Sequence, residues 1–157
     1  MKIRNEQLES LRAASEERFE VRLAEHIRVR YAEVKIGTPK GDIAVSDLSQ
    51  DSLLSMVRYS ISKTKHYDIT WQSSIACFTA LIFLMGPRFD EHAAIRRELE
   101  DEQVSSNAKV DHLCFVTTKR TWREAKAMHG AQPWNSVVPE IAARRDKSRA
   151  YGPAVRG

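Results

Sequence analysis

Asp90, Glu91 and His92 are consecutive residues whose side chains are capable of acid–base or metal chemistry. Neighbouring residues on a helix point in different directions, so these three groups are not expected to converge. Arg96 occupies the position four residues after His92, where a second ligand would be needed. The helix dipole also favours acidic residues at helix N-termini. We therefore interpret Asp90 as the cap of a short charged helix and not as part of a site.

The other histidine, cysteine and serine residues do not show the spacing of a metal site or of a catalytic motif. His112 and Cys114 are two residues apart, which places them on different faces of a predicted helix. The sequence contains no Cys-x-x-Cys or His-x-x-x-His pair, no Gly-x-Ser-x-Gly frame and no glycine-rich phosphate loop. His26 is interpreted as a partly buried hydrogen-bonding residue. We predict no catalytic residue, no cofactor and no metal site, and hence a protein that is not an enzyme.

Two further sets of polar residues are not assigned to a catalytic site. The serines of the predicted second helix have no activating partner in the sequence pattern. These are Ser55, Ser60 and Ser62. An acidic run near residue 100 is interpreted as facing solvent. It consists of Glu98, Glu100, Asp101 and Glu102.

A set of aromatic and basic residues near the C-terminus is the predicted partner-binding surface. Tryptophan and arginine are frequent anchors at protein interfaces, and they also suit a phosphate backbone with stacked bases. The set consists of Trp122, Arg123, Lys126, Trp134, Arg144 and Arg145. The alternative is that the C-terminal segment folds over the domain with its tryptophans in the core, since tryptophan is highly buried on average.

Charge is distributed unevenly along the chain. The formal net charge is +4, yet the segment from Lys119 to Gly157 holds nine basic residues against three acidic ones. The basic character therefore belongs to the C-terminal quarter.

The elements that must position these residues are predicted to be helices. An apolar stripe runs from Leu8 to Tyr31 on a long first helix that Asn5 can cap. Lys35–Gln50 contains Gly37, Pro39 and Gly41 and is predicted to be a loop, with a possible extended piece at Ile43–Val45.

Further helices follow from periodicity and breakers. A second helix is predicted from about Gln50 to Lys65, capped by Asp51 or Ser49, and a third from Thr70 to Leu84. The third is apolar on nearly every face, which is typical of the centre of a domain, and Gly86–Pro87 ends it. A short helix follows to about Asp101, and another runs from Ser106 or Asn107 to about Met128.

These elements predict an all-α fold: a single-domain bundle of about five helices with a central apolar helix. Residues 1–130 form the helical domain, and residues 131–157 form a loose basic extension that is partly disordered. Cys77 and Cys114 are predicted to be small buried residues without a disulfide. No secretory signal or membrane-spanning stretch is apparent, because the longest apolar run, Ile75–Met85, is too short, and a cytoplasmic location is expected.

Two blocks of the sequence, Met1–Tyr31 and Ile82–Asp101, carry a resemblance to a known family, and Leu48–Ile69 fits it as well. The chain resembles a family of small helical proteins encoded beside type VI secretion spike and toxin genes in Gram-negative bacteria. The matching positions are Arg4, Glu6, Gln7, Phe19, Glu20, Arg22 and His26, followed by Gly86, Pro87, Phe89 and Asp90. The resemblance covers about residues 1–115, with a longer loop at Lys35–Val45 and an unmatched extension after Lys119.

The resemblance implies an accessory, adaptor, chaperone or immunity protein that binds a toxin or a spike component. We expect a non-enzymatic interaction protein of this kind. The alternative is a nucleic-acid-binding module that uses the basic C-terminal segment. Self-association through the long first helix is a third hypothesis.

Overall fold

The computed structural model describes residues 4–129 and 134–144. Six α-helices and one β-hairpin make up the regular structure of the described residues, together with short 3₁₀ turns. The helices are α1 (Asn5–Arg30), α2 (Gln50–His66), α3 (Gln72–Met85), α4 (Ala93–Leu99), α5 (Lys109–Val116) and α6 (Lys119–His129). The strands are β1 (Lys35–Thr38) and β2 (Gly41–Ala44). The fold is mainly helical, and the all-α prediction is corrected by the hairpin.

The helix α1 has two halves with different surroundings. Its C-terminal half packs on α2 through Leu23, Ala24 and Ile27, which are buried. Its N-terminal half is exposed from Arg4 through Arg18, with only Ala14 partly covered. The predicted stripe is therefore a core contact over its second half alone.

The hairpin occupies the segment that the sequence analysis assigned to a loop. The antiparallel strands pair Lys35 with Ala44 and Ile36 with Ile43. Gly41 has a φ of 114°, a region open to glycine but strained for other residues, and so permits the tight reversal. Ile36 is 1% exposed and anchors the hairpin to the core.

Arg28 ties the first helix to the chain that follows the hairpin. Its Nη1 donates to the carbonyl oxygens of Ser46 (3.1 Å) and Leu48 (3.0 Å), and Nη2 donates to Oε1 of Gln50 (3.2 Å). Burial lowers the pKa of this guanidinium, with a smaller contribution from Arg144. A charged donor that satisfies two backbone carbonyls fixes the start of α2 relative to α1.

The two helices α2 and α3 pack on each other and supply seven of the buried hydrophobic residues of the core. Ser49 caps α2, as one of the two predicted caps, with its Oγ accepting from the backbone N–H of Ser52 at 3.2 Å. Phe78 and Ile82 of α3 are fully buried.

Within the described residues, no helix combines the length and the apolarity that crossing a membrane requires.

Asn107 caps the N-terminus of α3 and does not begin the later helix that its position predicts. Instead of starting a helix itself, it lies in a 3₁₀ turn and its Oδ1 accepts from the backbone N–H groups of Thr70 and Trp71, both at 2.8 Å. These are donors at the N-terminus of α3, which carries no side-chain cap of its own. The predicted cap Thr70 is replaced in this role by a residue far along the chain.

The predicted single helix from about Asn107 to Met128 is broken into α5 and α6. Thr117 adopts an extended conformation, and the Oγ1 of Thr118 accepts from the backbone N–H of Thr121 at 3.2 Å. A threonine cap of this kind begins a new helix, since it satisfies a donor that the first turn leaves free.

The segment 134–144, which the sequence analysis assigned to the loose extension, packs on the domain. Trp134 and Val138 are 3% and 4% exposed. The backbone N–H of Ser49 donates to the carbonyl of Ala142 (2.9 Å), and that of Arg144 donates to the carbonyl of Asp47 (2.6 Å). The predicted looseness therefore does not hold for these residues, whereas 131–133 and 145–157 lie outside the described residues.

Candidate functional site

The N-terminal half of α1 is a helical arm that extends away from the core, and we use the name arm for Asn5–Arg18. Leu8 and Leu11 lie three residues apart on one face of the arm and are 39% and 57% exposed. An isolated helix of this length is marginally stable in water, and most helical stability comes from packing an apolar face. The arm thus presents an apolar face that the described part of the chain leaves uncovered.

A cavity of about 290 Å³ lies at the base of the arm, between α1 and the junction of α2 with α3. Its apolar lining comes from Phe19, Ile61, Ile69 and Ile75. Polar and charged side chains line the rest, namely Ser15, Glu16, Glu20, Thr64, Lys65, Thr70 and Gln72. The volume lies just below the range typical of small-molecule sites. It suits the insertion of one or two apolar side chains.

A wider, open depression lies on the other side of α1 and shares Ser15 with the cavity. Val21 and Leu54 give it an apolar floor. The charged side chains around this floor are Arg18, Arg22, Arg58 and Glu17. Arg58 is held by Glu20, with Nε 2.9 Å from Oε2. The base of the arm therefore carries apolar surface on both sides, with positive charge concentrated on one of them.

The structure divides the predicted partner-binding set. Trp134 is buried against Tyr59 and Phe83, with ring centroids 5.9 and 5.3 Å away, so its prediction as an exposed anchor is wrong. Trp122 is half-buried, and its ring centroid lies 6.4 Å from that of Phe89 with the ring planes tilted by 35°.

The basic members of the same set are spread over two elements. Arg123 and Lys126 are exposed on α6, and Arg144 is exposed beside Asp47. Arg145 lies outside the described residues. For Trp134 the structure favours the alternative in which tryptophan completes the core.

Asp90 lies in a buried polar network and not at the head of a helix. Its carboxylate accepts from the hydroxyl of Tyr67 (2.7 Å) and from Nζ of Lys63 (3.0 and 3.2 Å). Asp90 is 1% exposed and sits in a 3₁₀ turn, while His92 precedes α4 and its Nδ1 accepts from the N–H of Ala94 at 3.3 Å. The prediction that Asp90 caps α4 is therefore corrected.

The electrostatics of this network favour the protonated forms of Tyr67 and Lys63. Burial raises the pKa of Tyr67, and its hydrogen bond to the Asp90 carboxylate raises it further. Burial alone would lower the pKa of Lys63, but the Asp90 carboxylate more than offsets this, so the pKa is raised. Near neutral pH the network consists of a phenol and an ammonium bound to a carboxylate, which locks α2 to the turn after α3.

Glu98, Asp101 and His112 meet although the sequence separates them into an acidic run and a later helix. One ligand atom from each lies within 4.8 Å of the other two, and Nε2 of His112 is 3.0 Å from Oε2 of Glu98. All three residues are partly buried, so Glu98 and Asp101 do not simply face solvent as predicted. The spacing of these residues in the sequence did not predict the cluster, because Glu98 lies in α4 and His112 lies in α5, on the other side of a turn region.

Several smaller predictions also changed. Cys77 and Cys114 are free, as predicted, but both are exposed instead of buried. Although Cys114 is exposed as a residue, partial burial of its thiol raises the pKa, with further contributions from Cys77 and Asp111, so it is a poor nucleophile at neutral pH. His26 is exposed. Ser60 is fully buried and shares a 2.7 Å hydrogen bond with Thr79.

No protein-family model, no curated protein and no solved structure matches this chain. Membership in the family found beside type VI secretion genes therefore stays a prediction that depends on the residues named above.

Proposed function

We propose that the protein is a non-enzymatic interaction protein that binds its partner along the arm and in the cavity at its base. The observation that carries this proposal is the exposure of Leu8 and Leu11 on a helical segment that has no partner among the described residues. A helix in this state gains stability when a second surface covers its apolar face.

We expect the partner to be a protein with an amphipathic helix. Leucines three residues apart match the ridges of a facing helix, and the cavity beside Phe19 accepts an apolar anchor. The resemblance described above supplies the partner class, which is a toxin or a spike component of a type VI secretion system. The protein would then act as an accessory that holds or occludes this helix.

Charged residues around the apolar surface would set the orientation of the partner. Arg18 and Arg22 line the depression on one side of α1, and Glu16 lines the cavity on the other. We expect the bound helix to carry acidic residues on the side that faces these arginines. Such rim charges influence association rate and specificity more than affinity.

A second candidate function is nucleic-acid binding through α6. Lys119, Arg123 and Lys126 are exposed at spacings of four and three residues, which places them on one face of this helix. A basic helical face of this kind binds phosphate backbones with strong salt dependence. It differs from the first candidate in its location, because α6 carries none of the residues of the arm.

The proposal is tested by an affinity pull-down from the native host with the full chain, after nuclease treatment, using Leu11→Glu and Val29→Glu. Val29 is 66% exposed on the same helix but outside the arm, so its substitution adds the same charge at a matched site. Glutamate is a good helix former, so both variants retain α1. We expect one stoichiometric protein partner that Val29→Glu retains and Leu11→Glu reduces by about tenfold or more.

Three results would contradict this expectation. Equal recovery by both variants would exclude the arm as the interface. Recovery of nucleic acid from untreated lysate, lost on Arg123→Gln with Lys126→Gln, would favour the second candidate. A concentration-dependent mass that Leu11→Glu abolishes would assign the arm to self-association.

A further inference from the structure

We propose that Glu98, Asp101 and His112 bind a divalent transition-metal ion, best matched by zinc, which joins the end of α4 to α5. An imidazole nitrogen with two carboxylate oxygens is a ligand set that zinc accepts at about 2.0–2.2 Å from each atom. Calcium and magnesium prefer ligands that are all oxygen, so the histidine directs the site toward a transition metal.

The geometry requires only local adjustment. Ligand atoms around a tetrahedral zinc ion lie about 3.4 Å apart, given bonds of about 2.1 Å. Glu98 and His112 are already 3.0 Å apart, and the widest separation in the cluster is below 4.8 Å. Asp101 follows the end of α4, and its Oδ1 accepts from the backbone N–H of Gln103 at 2.9 Å. We expect a rotation of this side chain to bring its carboxylate into range.

The charge distribution favours a bound cation. In the described part of the chain, neither Glu98 nor Asp101 forms an ion pair with lysine or arginine, and Glu98 shares a hydrogen bond with His112. Two carboxylates held close together repel each other, and a divalent ion placed between them removes this repulsion. The ion would replace the hydrogen bond between His112 and Glu98 with two coordinate bonds.

The frame around the cluster is rigid, whereas its ligands remain accessible. Leu99, next to Glu98, and Leu113, next to His112, are both fully buried. The side chains of His112 and Glu98 are 33% and 31% exposed, which leaves room for a water molecule as the fourth ligand. Glu98 and His112 lie on packed helices, so these two ligands lose little conformational freedom on binding.

The two exposed thiols are the competing explanation for any zinc binding, since thiolates are strong zinc ligands. Cys77→Ser with Cys114→Ser removes them and leaves the proposed ligands in place. His66→Asn removes another exposed histidine and serves as the matched control for His112→Asn.

The test is a calorimetric titration of the metal-free full chain with zinc chloride. We expect one ion per chain with a dissociation constant of about 10 μM or tighter. His112→Asn and Asp101→Asn should each weaken binding by about tenfold or more, while His66→Asn and the double cysteine variant should bind as the wild type does. Far-ultraviolet circular dichroism checks that each variant is folded.

Cobalt binding to the wild-type chain is the second measurement, and it needs no variant. A cobalt spectrum without a thiolate charge-transfer band supports the His/carboxylate site, and one with such a band overturns it. The proposal also fails if zinc binding is undetectable at about 1 mM, or if the double cysteine variant loses binding that His112→Asn retains. None of these outcomes depends on the partner proposed for the arm.

Discussion

At the scale of single residues, the protonation of Tyr67 and Lys63 is coupled to folding through their contacts with Asp90. The Asp90 carboxylate stabilises the protonated form of both neighbours, and the pKa of each is raised above its ordinary value. A group with a raised pKa in the folded state contributes stability below its unfolded pKa and loses it as pH rises. The network therefore stabilises the fold at neutral pH and weakens it in alkali.

We predict that the free energy of unfolding falls as pH rises above the ordinary values of 10.0 for tyrosine and 10.5 for lysine. Tyr67→Phe should lower the stability at pH 7 by about 1–2 kcal/mol, because Asp90 loses one donor. The same variant should show a shallower alkaline decline. Urea unfolding between about pH 7 and 11 measures both effects, with Tyr31→Phe as the control. An unchanged slope in Tyr67→Phe would show that the phenol does not contribute.

At the scale of elements, the hairpin is the feature that sequence periodicity missed. Its strands are four residues long, and Gly37, Pro39 and Gly41 within and between them indicated a loop. Packing decides its conformation, since Ile36 is buried in a core assembled from distant helices. The glycine at the reversal was present as a turn signal but did not reveal that strands flank it.

The two hairpin glycines should respond differently to substitution. Gly41→Ala places a Cβ at a φ of +114°, and we expect a loss of about 1–2 kcal/mol from backbone strain, although nothing obstructs the added atom. At Gly37 the nearest atom is Oδ1 of Asp42 at an ordinary 3.8 Å. Gly37→Ala should therefore be neutral or slightly stabilising. Thermal unfolding of both variants checks this, and equal losses would contradict the argument from φ.

The ends of two helices could be predicted because they depend on neighbouring residues, whereas contacts between distant residues could not. The start of α2 at Ser49 and the end of α3 at Gly86 were predicted, because capping and chain reversal depend on neighbouring residues. The cluster of Glu98 with His112 was missed because its members meet only after α4 packs on α5. The same reason applies to Asn107, whose side chain caps a helix that begins 35 residues earlier.

At the scale of the whole molecule, we expect the arm to contribute little to the free energy of unfolding of the rest of the domain. Deleting residues 1–13 removes no buried side chain among those described. We expect the free energy of unfolding to change by less than about 1 kcal/mol. Leu23→Ala, in the packed half of the same helix, should cost about 3 kcal/mol. Urea unfolding of the deletion variant and of Leu23→Ala measures both losses. A loss above about 2 kcal/mol on deletion would show that the arm stabilises the rest of the domain.

The packing of residues 134–144 also constrains the order of events during protein synthesis. Trp134 and Val138 fill the core, and Ala142 and Arg144 bond to Ser49 and Asp47 near the start of α2. The six helices of the described residues are therefore all synthesised before the residues that close the core around them. Until that moment Tyr59 and Phe83 lack the tryptophan they pack against, and the nascent chain exposes an apolar surface that chaperones can bind.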